Sequence, residues 1–302
     1  MRRVGGLGMT LLAIGGSVVG GLTLWAGSGA APVIVHQARQ VSVASARASS
    51  RTASWASSNW SGYAETGTFS TITGNWTVPA VTAGAAGASG GRFGRNPGTT
   101  SWYSATWLGI DGYNNSDLIQ TGTEQDYYSG SAHYTAWWEI LPASETVISE
   151  PVAAGDQMTA TITKTSATVS VRVGRRGQTT ESLWQVTVGD TTQGWTFTTT
   201  QAYTGPGTSA EWIVEAPSVN GRTAALADYA FPAAAAGAGD FHGAGVATGI
   251  GQPMVPAALS YANDAGVMVQ NNAQVSTPGQ PDGPQTAFNS LYGPTAPGPP
   301  TT

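Results

Sequence analysis

The chain has no cysteine, and histidine occurs only three times in 302 residues. Thiolate nucleophiles, disulfides and Cys-based zinc sites are therefore excluded. A serine triad would need His133 or His242, the two histidines in the body of the chain, and neither sits in H-E-x-x-H or another metal-ligand spacing. Gly87–Gly91 satisfies G-x-S-x-G, but in a Gly/Ala stretch with no strand before it and no helix after it. The glycines at 237, 239, 243 and 245 lack dinucleotide spacing, and Asp264 and Asp282 lack the D-T/S-G context of aspartic peptidases. What remains is a set of carboxylates and amides among tryptophans.

Those groups recur at strand spacing. Alternate residues of a strand share a face, so Gln120, Gly122 and Glu124 lie together, as do Glu211, Ile213 and Glu215. Trp107, Gly109 and Asp111 share a parity, and so do Trp137 and Glu139. In a chain with only 10% charged residues, against about 25% in an average soluble domain, this regularity suggests a polar cleft on a sheet. Solvent-facing positions of a half-exposed sheet would give the same pattern.

The elements that must carry these groups are strands. From Ser54 onward, short runs of β-branched and aromatic residues alternate with Gly, Pro, Asn and Asp clusters, as in 75–78, 118–123, 133–140, 158–163, 168–173, 183–188, 195–200, 211–214 and 266–270. No stretch combines helical periodicity with caps, and no repeat of fixed period is present. The expected fold is all-β, an antiparallel sandwich or barrel in one domain over 53–277. The tail 278–302 is rich in Pro and Gly, with a last strand expected at 286–292 and disorder beyond Gly293.

Charge divides the chain. Before Glu65, the first acid, only arginines are charged; from residue 53 onward, seven Arg and Lys face all 17 Asp and Glu. An acidic body argues against nucleic acid as a partner. It also limits self-repulsion when its carboxylates are protonated, which suits work in acid. Arg2-Arg3 and the apolar run that follows read as a secretory signal over 1–30 ending at Ser28-Gly29-Ala30, so the product is expected to be secreted and free of the membrane. The acid-free segment 31–52 reads as a propeptide that docks on the acidic body, or as a linker.

Six motifs in order carry a resemblance: S-N-W-S-G-Y at 58–63, G-N-W-T-V-P at 74–79, W-L-G-I-D-G at 107–112 with L-I-Q-T-G at 118–122, A-W-W-E at 136–139, A-E-W-I-V-E at 210–215, and A-D-Y at 227–229. Together they resemble the glutamic peptidases, or eqolisins. The resemblance implies a lectin-like (concanavalin A-like) sandwich of two large antiparallel sheets with a cleft on the concave one, polypeptide substrates, an acid optimum, and no metal or other cofactor. It places the catalytic glutamine on Gln120 and the catalytic glutamate on Glu211. Trp107, Asp111 and Glu124 become supporting residues, with Glu139 and Glu215 as further nearby acids. A monomer is expected. The Gly/Ala-rich insert 83–99 and the end beyond Asn272 depart from the family pattern.

On this reading Glu211 takes a proton from water and returns it to the leaving amine, while Gln120, which does not titrate, donates to the developing oxyanion. Two alternatives share the composition: a carbohydrate-binding or glycoside-hydrolysing sandwich using paired carboxylates, and a silent adhesion module. The first predicts sugar release with no need for Gln120, and the second tight binding without turnover.

Overall fold

The computed structural model describes residues 32–41, 53–84, 101–173, 177–232 and 239–300. The expected signal, residues 42–52 of the leader and most of the 83–99 insert lie outside them.

Two antiparallel sheets dominate, as expected. Among the described residues the larger has eleven strands, and its centre runs in the order Thr146–Ile148, Ser131–Ile140, Ile119–Tyr128, Ala105–Ile110, Ser209–Glu215, Trp60–Thr66 and Ala265–Gln270. The other has six strands, among them Thr71–Thr77, Gln157–Val173, Gly177–Asp190 and Trp195–Tyr203. Helix is confined to Tyr261–Asp264 among the described residues.

The main core forms between the sheets. Leu108, Ile110, Trp212 and Val214 from the large sheet meet Ile72, Trp76, Ile162, Trp184 and Val186 from the smaller one. Each such buried side chain contributes roughly 1.5–3 kcal/mol. Two of the indole N–H groups bond across the layers: Trp76 donates to Thr123 Oγ1 at 3.0 Å and Trp212 to the Thr73 carbonyl at 2.9 Å. These bonds tie the register of one sheet to that of the other.

The large sheet is buried on its outer face as well. All seven residues of Ser209–Glu215 are buried, as are all six of Ala105–Ile110. The outer face carries a second apolar cluster of Trp60, Ala64, Ala105, Trp107, Leu118, Trp137 and Ile213. Gly122 pairs with Trp107 on one side and Trp137 on the other. A Cβ there would lie 2.4 Å from Thr106 O and from Trp107 Cβ, so only glycine fits against that stretch of the neighbouring strand.

Two boundaries differ from expectation. The last strand is Ser290–Tyr292, shorter than 286–292, and it pairs with Ala273–Pro278 inside the large sheet. Residues 294–298 are tied down: Gln274 donates to Pro294 O and Asn289 to Gly298 O. Phe288, fully buried, stacks on Phe241 with centroids 4.7 Å apart. A core aromatic followed by a pairing strand makes the tail part of the domain, despite its Pro and Gly content. At the other end, residues 32–41 pack onto the domain through the contacts described next.

Candidate active site

Register aligns the polar groups in rows across the large sheet. Glu211 pairs with Gly109, Gly109 with Gln120, and Gln120 with Glu139. Four residues along, Glu215 pairs with Ala105 and Ala105 with Glu124. Paired residues share a face, so Gln120, Glu124, Glu139, Glu211 and Glu215 all point outward, between indoles.

Across this face lies the leader segment, extended and bonded along its length. Ile34–Val35 pairs antiparallel with Ser218–Val219. The His36 N–H donates to Glu139 Oε2 at 2.9 Å. Its carbonyl accepts from Gln120 Nε2 at 2.7 Å. The next N–H, of Gln37, donates to Glu215 Oε1 at 3.1 Å. Asn59 Nδ2 donates to the Gln37 and Ala38 carbonyls, and Asn59 Oδ1 accepts from Gln40 N–H at 2.8 Å. Arg39 N–H donates to Gly112 O, and its guanidinium lies 4.1 Å over the Tyr113 ring. One peptide unit, His36–Gln37, is thus gripped at its oxygen by Gln120 and at its nitrogen by Glu215.

Gln120 Nε2 donates a second bond to Glu139 Oε2 at 2.8 Å. With two acceptors facing that nitrogen, the amide has one sensible orientation. Glu215 Oε2 accepts from Trp107 Nε1 at 2.9 Å, and Oε1 also accepts from Asn59 Nδ2 at 3.3 Å.

The His36 ring is fully buried and stacks on Trp137, with centroids 3.6 Å apart and planes 4° apart. Nε2 lies 3.0 Å from Glu124 Oε1 and 3.2 Å from Glu145 Oε2; Nδ1 lies 3.5 Å from Glu215 Oε2. Burial alone would disfavour the imidazolium, but the Glu124 charge and the contacts to the three carboxylates hold its pKa well above the ordinary value. Burial pushes the Glu139 carboxyl up to about 8, against the pull of His36. Burial also raises Glu215, opposed by His36 and the Trp107 N–H. The ligand atoms of His36, Glu124 and Glu145 lie within 4.8 Å of one another, close enough for a metal ion. The imidazolium already supplies the positive charge they need.

Of the residues singled out from sequence, Gln120, Glu139, Glu215, Glu124 and Trp107 meet at the leader. Glu211 and Asp111 do not. The space above Gly109, between Glu211 and Gln120, is filled: a Cβ there would lie 2.9 Å from Trp107 Cζ3 and 3.0 Å from Leu118 Cδ1. Glu211 is fully buried, and neither carboxyl oxygen makes a hydrogen bond of good geometry. Burial pushes its carboxyl well above the ordinary range, the nearby Ser209 hydroxyl opposing and the Asp111 charge adding. Asp111 follows the strand end, at φ 72°, and fastens a loop. It accepts from Tyr203 OH, Gly207 N–H and Thr208 N–H at 2.8 Å each, and from Asn115 Nδ2 at 3.0 Å.

His36, Asn59 and Glu145 were not singled out. A lone histidine in an acid-free leader was the available signal for the first. Asn59 stood within a recognised motif, and Glu145 lies past the strand end with nothing local to mark it.

An all-β sandwich whose outer sheet grips an extended peptide between an amide and carboxylates defines the class. The chain belongs to the Peptidase A4 family, which it matches over residues 58–280. It is 34% identical over 189 residues to Aspergillopepsin-2 of Aspergillus niger, a match covering 57% of this chain. The chain spans 61% of the length of that curated relative. Among solved structures, scytalido-glutamic peptidase with a transition state analog inhibitor aligns at a TM-score of 0.55 and 22% identity, over 78% of this chain and 98% of that one. That likeness supports the sandwich fold. No helix among the described residues is long and apolar enough to cross a membrane.

Proposed function

We propose that the chain is the precursor of a secreted acid endopeptidase in which Glu215, rather than Glu211, works with Gln120. The observation that carries this reading is the grip on the His36–Gln37 peptide unit, oxygen to Gln120 at 2.7 Å and nitrogen to Glu215 at 3.1 Å.

As a carboxylate, Glu215 takes a proton from water, whose oxygen attacks the carbonyl carbon. The carbonyl oxygen becomes the oxyanion and is stabilised by the Gln120 N–H, already at the required distance. The Glu215 carboxylic acid then protonates the amide nitrogen, the C–N bond breaks, and an acid and an amine leave. Trp107 holds Glu215 in place, and Glu139 orients the Gln120 amide while accepting the N–H of the residue before the bond. Glu211 is buried with its carboxyl kept neutral in acid, and it makes no hydrogen bond to that peptide unit. A sugar-processing site would have no use for an amide held on a peptide carbonyl.

The leader segment occupies the cleft that a substrate would need, which supports the propeptide reading over the linker. Its basic side chains also find partners, the His36 ring among carboxylates and Arg39 over Tyr113. The test is hydrolysis of a denatured protein by the purified chain between pH 2 and 7, with N-terminal sequencing of the enzyme itself. Cleavage is expected in acid, with loss of about 10²–10³ in rate for Gln120→Ala. Full activity in that variant, or no cleavage by the wild type, contradicts the reading.

A further inference from the structure

Resting on that reading, we propose that the enzyme selects a cationic side chain, imidazolium or ammonium, on the residue immediately before the bond it cuts. The pocket is formed by Trp137, Glu124 and Glu145. His36 stands at that position, since its own carbonyl is the one held by Gln120.

Three features of the pocket match a cation. Its wall is an indole face, parallel to the ring it holds at 3.6 Å, and such faces attract positive charge. Its far end has two carboxylate oxygens, 3.0 and 3.2 Å from the same nitrogen. Both come from side chains nearly removed from water, Glu124 at 2% and Glu145 at 10% exposure. Carboxylates desolvated in this way need a positive partner or a proton. A neutral aliphatic side chain would leave both without a partner, and an anionic one would be repelled.

The carboxylates are concentrated at this one position. Val33 is exposed, Val35 only half-buried, and the Arg39 guanidinium is met by aromatic rings and the Tyr113 carbonyl. A lysine stem could lie along Trp137 with its ammonium at the two glutamates.

The inference is tested with four synthetic peptides of residues 32–41, carrying His36 or the replacements His36→Lys, His36→Leu and His36→Glu. Acid-incubated full-length enzyme is the catalyst, and products are identified by mass. Cleavage after position 36 is expected with kcat/KM about 10- to 100-fold higher for His and Lys than for Leu, as for loss of a charge-assisted hydrogen bond, and lowest for Glu. Glu145→Gln and Glu124→Gln are each expected to bring the His/Leu ratio toward one, the ratio cancelling any general loss of folded enzyme. Equal rates for His and Leu, or a ratio unchanged in both variants, overturn the inference. If a denatured protein is digested without cationic residues before the cuts, only this inference fails. If neither peptides nor protein are cut, the peptidase reading fails and takes this inference with it.

Discussion

Replacing Trp107 by Phe removes one hydrogen bond from the Glu215 carboxylate and keeps most of the apolar ring. The bond is 2.9 Å long and fully buried. A hydrogen bond to a charged group is worth about 1.5–3 kcal/mol, so its loss destabilises the ionised form by that amount. At 1.36 kcal/mol per pKa unit, the Glu215 pKa should rise by about 1–2 units. With that carboxylate as the proposed base, the acid limb of the pH profile of kcat/KM should move upward by the same interval. At a fixed pH below the limb, activity should fall about 10- to 100-fold and recover as the pH is raised. The smaller ring also leaves a gap costing about 1–3 kcal/mol of stability, so folding is checked by urea titration under the assay conditions. An acid limb that stays in place, or moves down, in a folded variant refutes the argument.

Two further predictions concern stability. Asp111→Ala strands the buried donors of Tyr203 and Gly207 and removes the half-buried bond from Thr208 N–H, and should cost about 3 kcal/mol in urea unfolding; a loss below about 1 kcal/mol would mean that the loop is fastened otherwise. Burial holds Glu139 at about 8 and Asp240 at about 7 when folded, against about 4 when unfolded. Raised folded pKa values give stability that is complete below about pH 4 and lost as pH rises through 7–8, at about 1.4 kcal/mol per pH unit for each group in between. His36, also raised, acts in the same direction. The urea midpoint of the full chain should therefore be higher at pH 4 than at pH 7.5, and a higher midpoint at pH 7.5 would contradict the assignment.

Alternation of residue types identified the strands that present one face to water or to the cleft, such as Trp195–Tyr203. It was silent on Trp60–Thr66, whose first five residues are all buried: a strand covered on both faces has no polar side to alternate with. The two runs expected at 158–163 and 168–173 are one strand, Gln157–Val173, whose register shift between Lys164 and Thr168 breaks the pattern. At the site, parity correctly grouped Glu211 with Glu215, because both face outward. It had no means of choosing between them. The choice depends on where the Trp107 ring lies above Gly109 and on where a leader peptide crosses the sheet. Both are tertiary facts between residues far apart in sequence. Asp111 shared the parity of Trp107 but sits past the strand end, where a positive φ turns it toward the 203–208 loop.

Whether Glu215 is the titrating partner of Gln120 is decided by a paired comparison of Glu215→Gln and Glu211→Gln. Both keep the side-chain shape and remove the carboxyl group. Initial rates on a denatured protein in acid should fall by at least about 10³ for Glu215→Gln, which loses the base and the acid together. Glu211→Gln, with its carboxyl already neutral there, should stay within about tenfold of wild type. The opposite ranking, with Glu211→Gln inactive and Glu215→Gln active, would assign the titrating role to Glu211 instead.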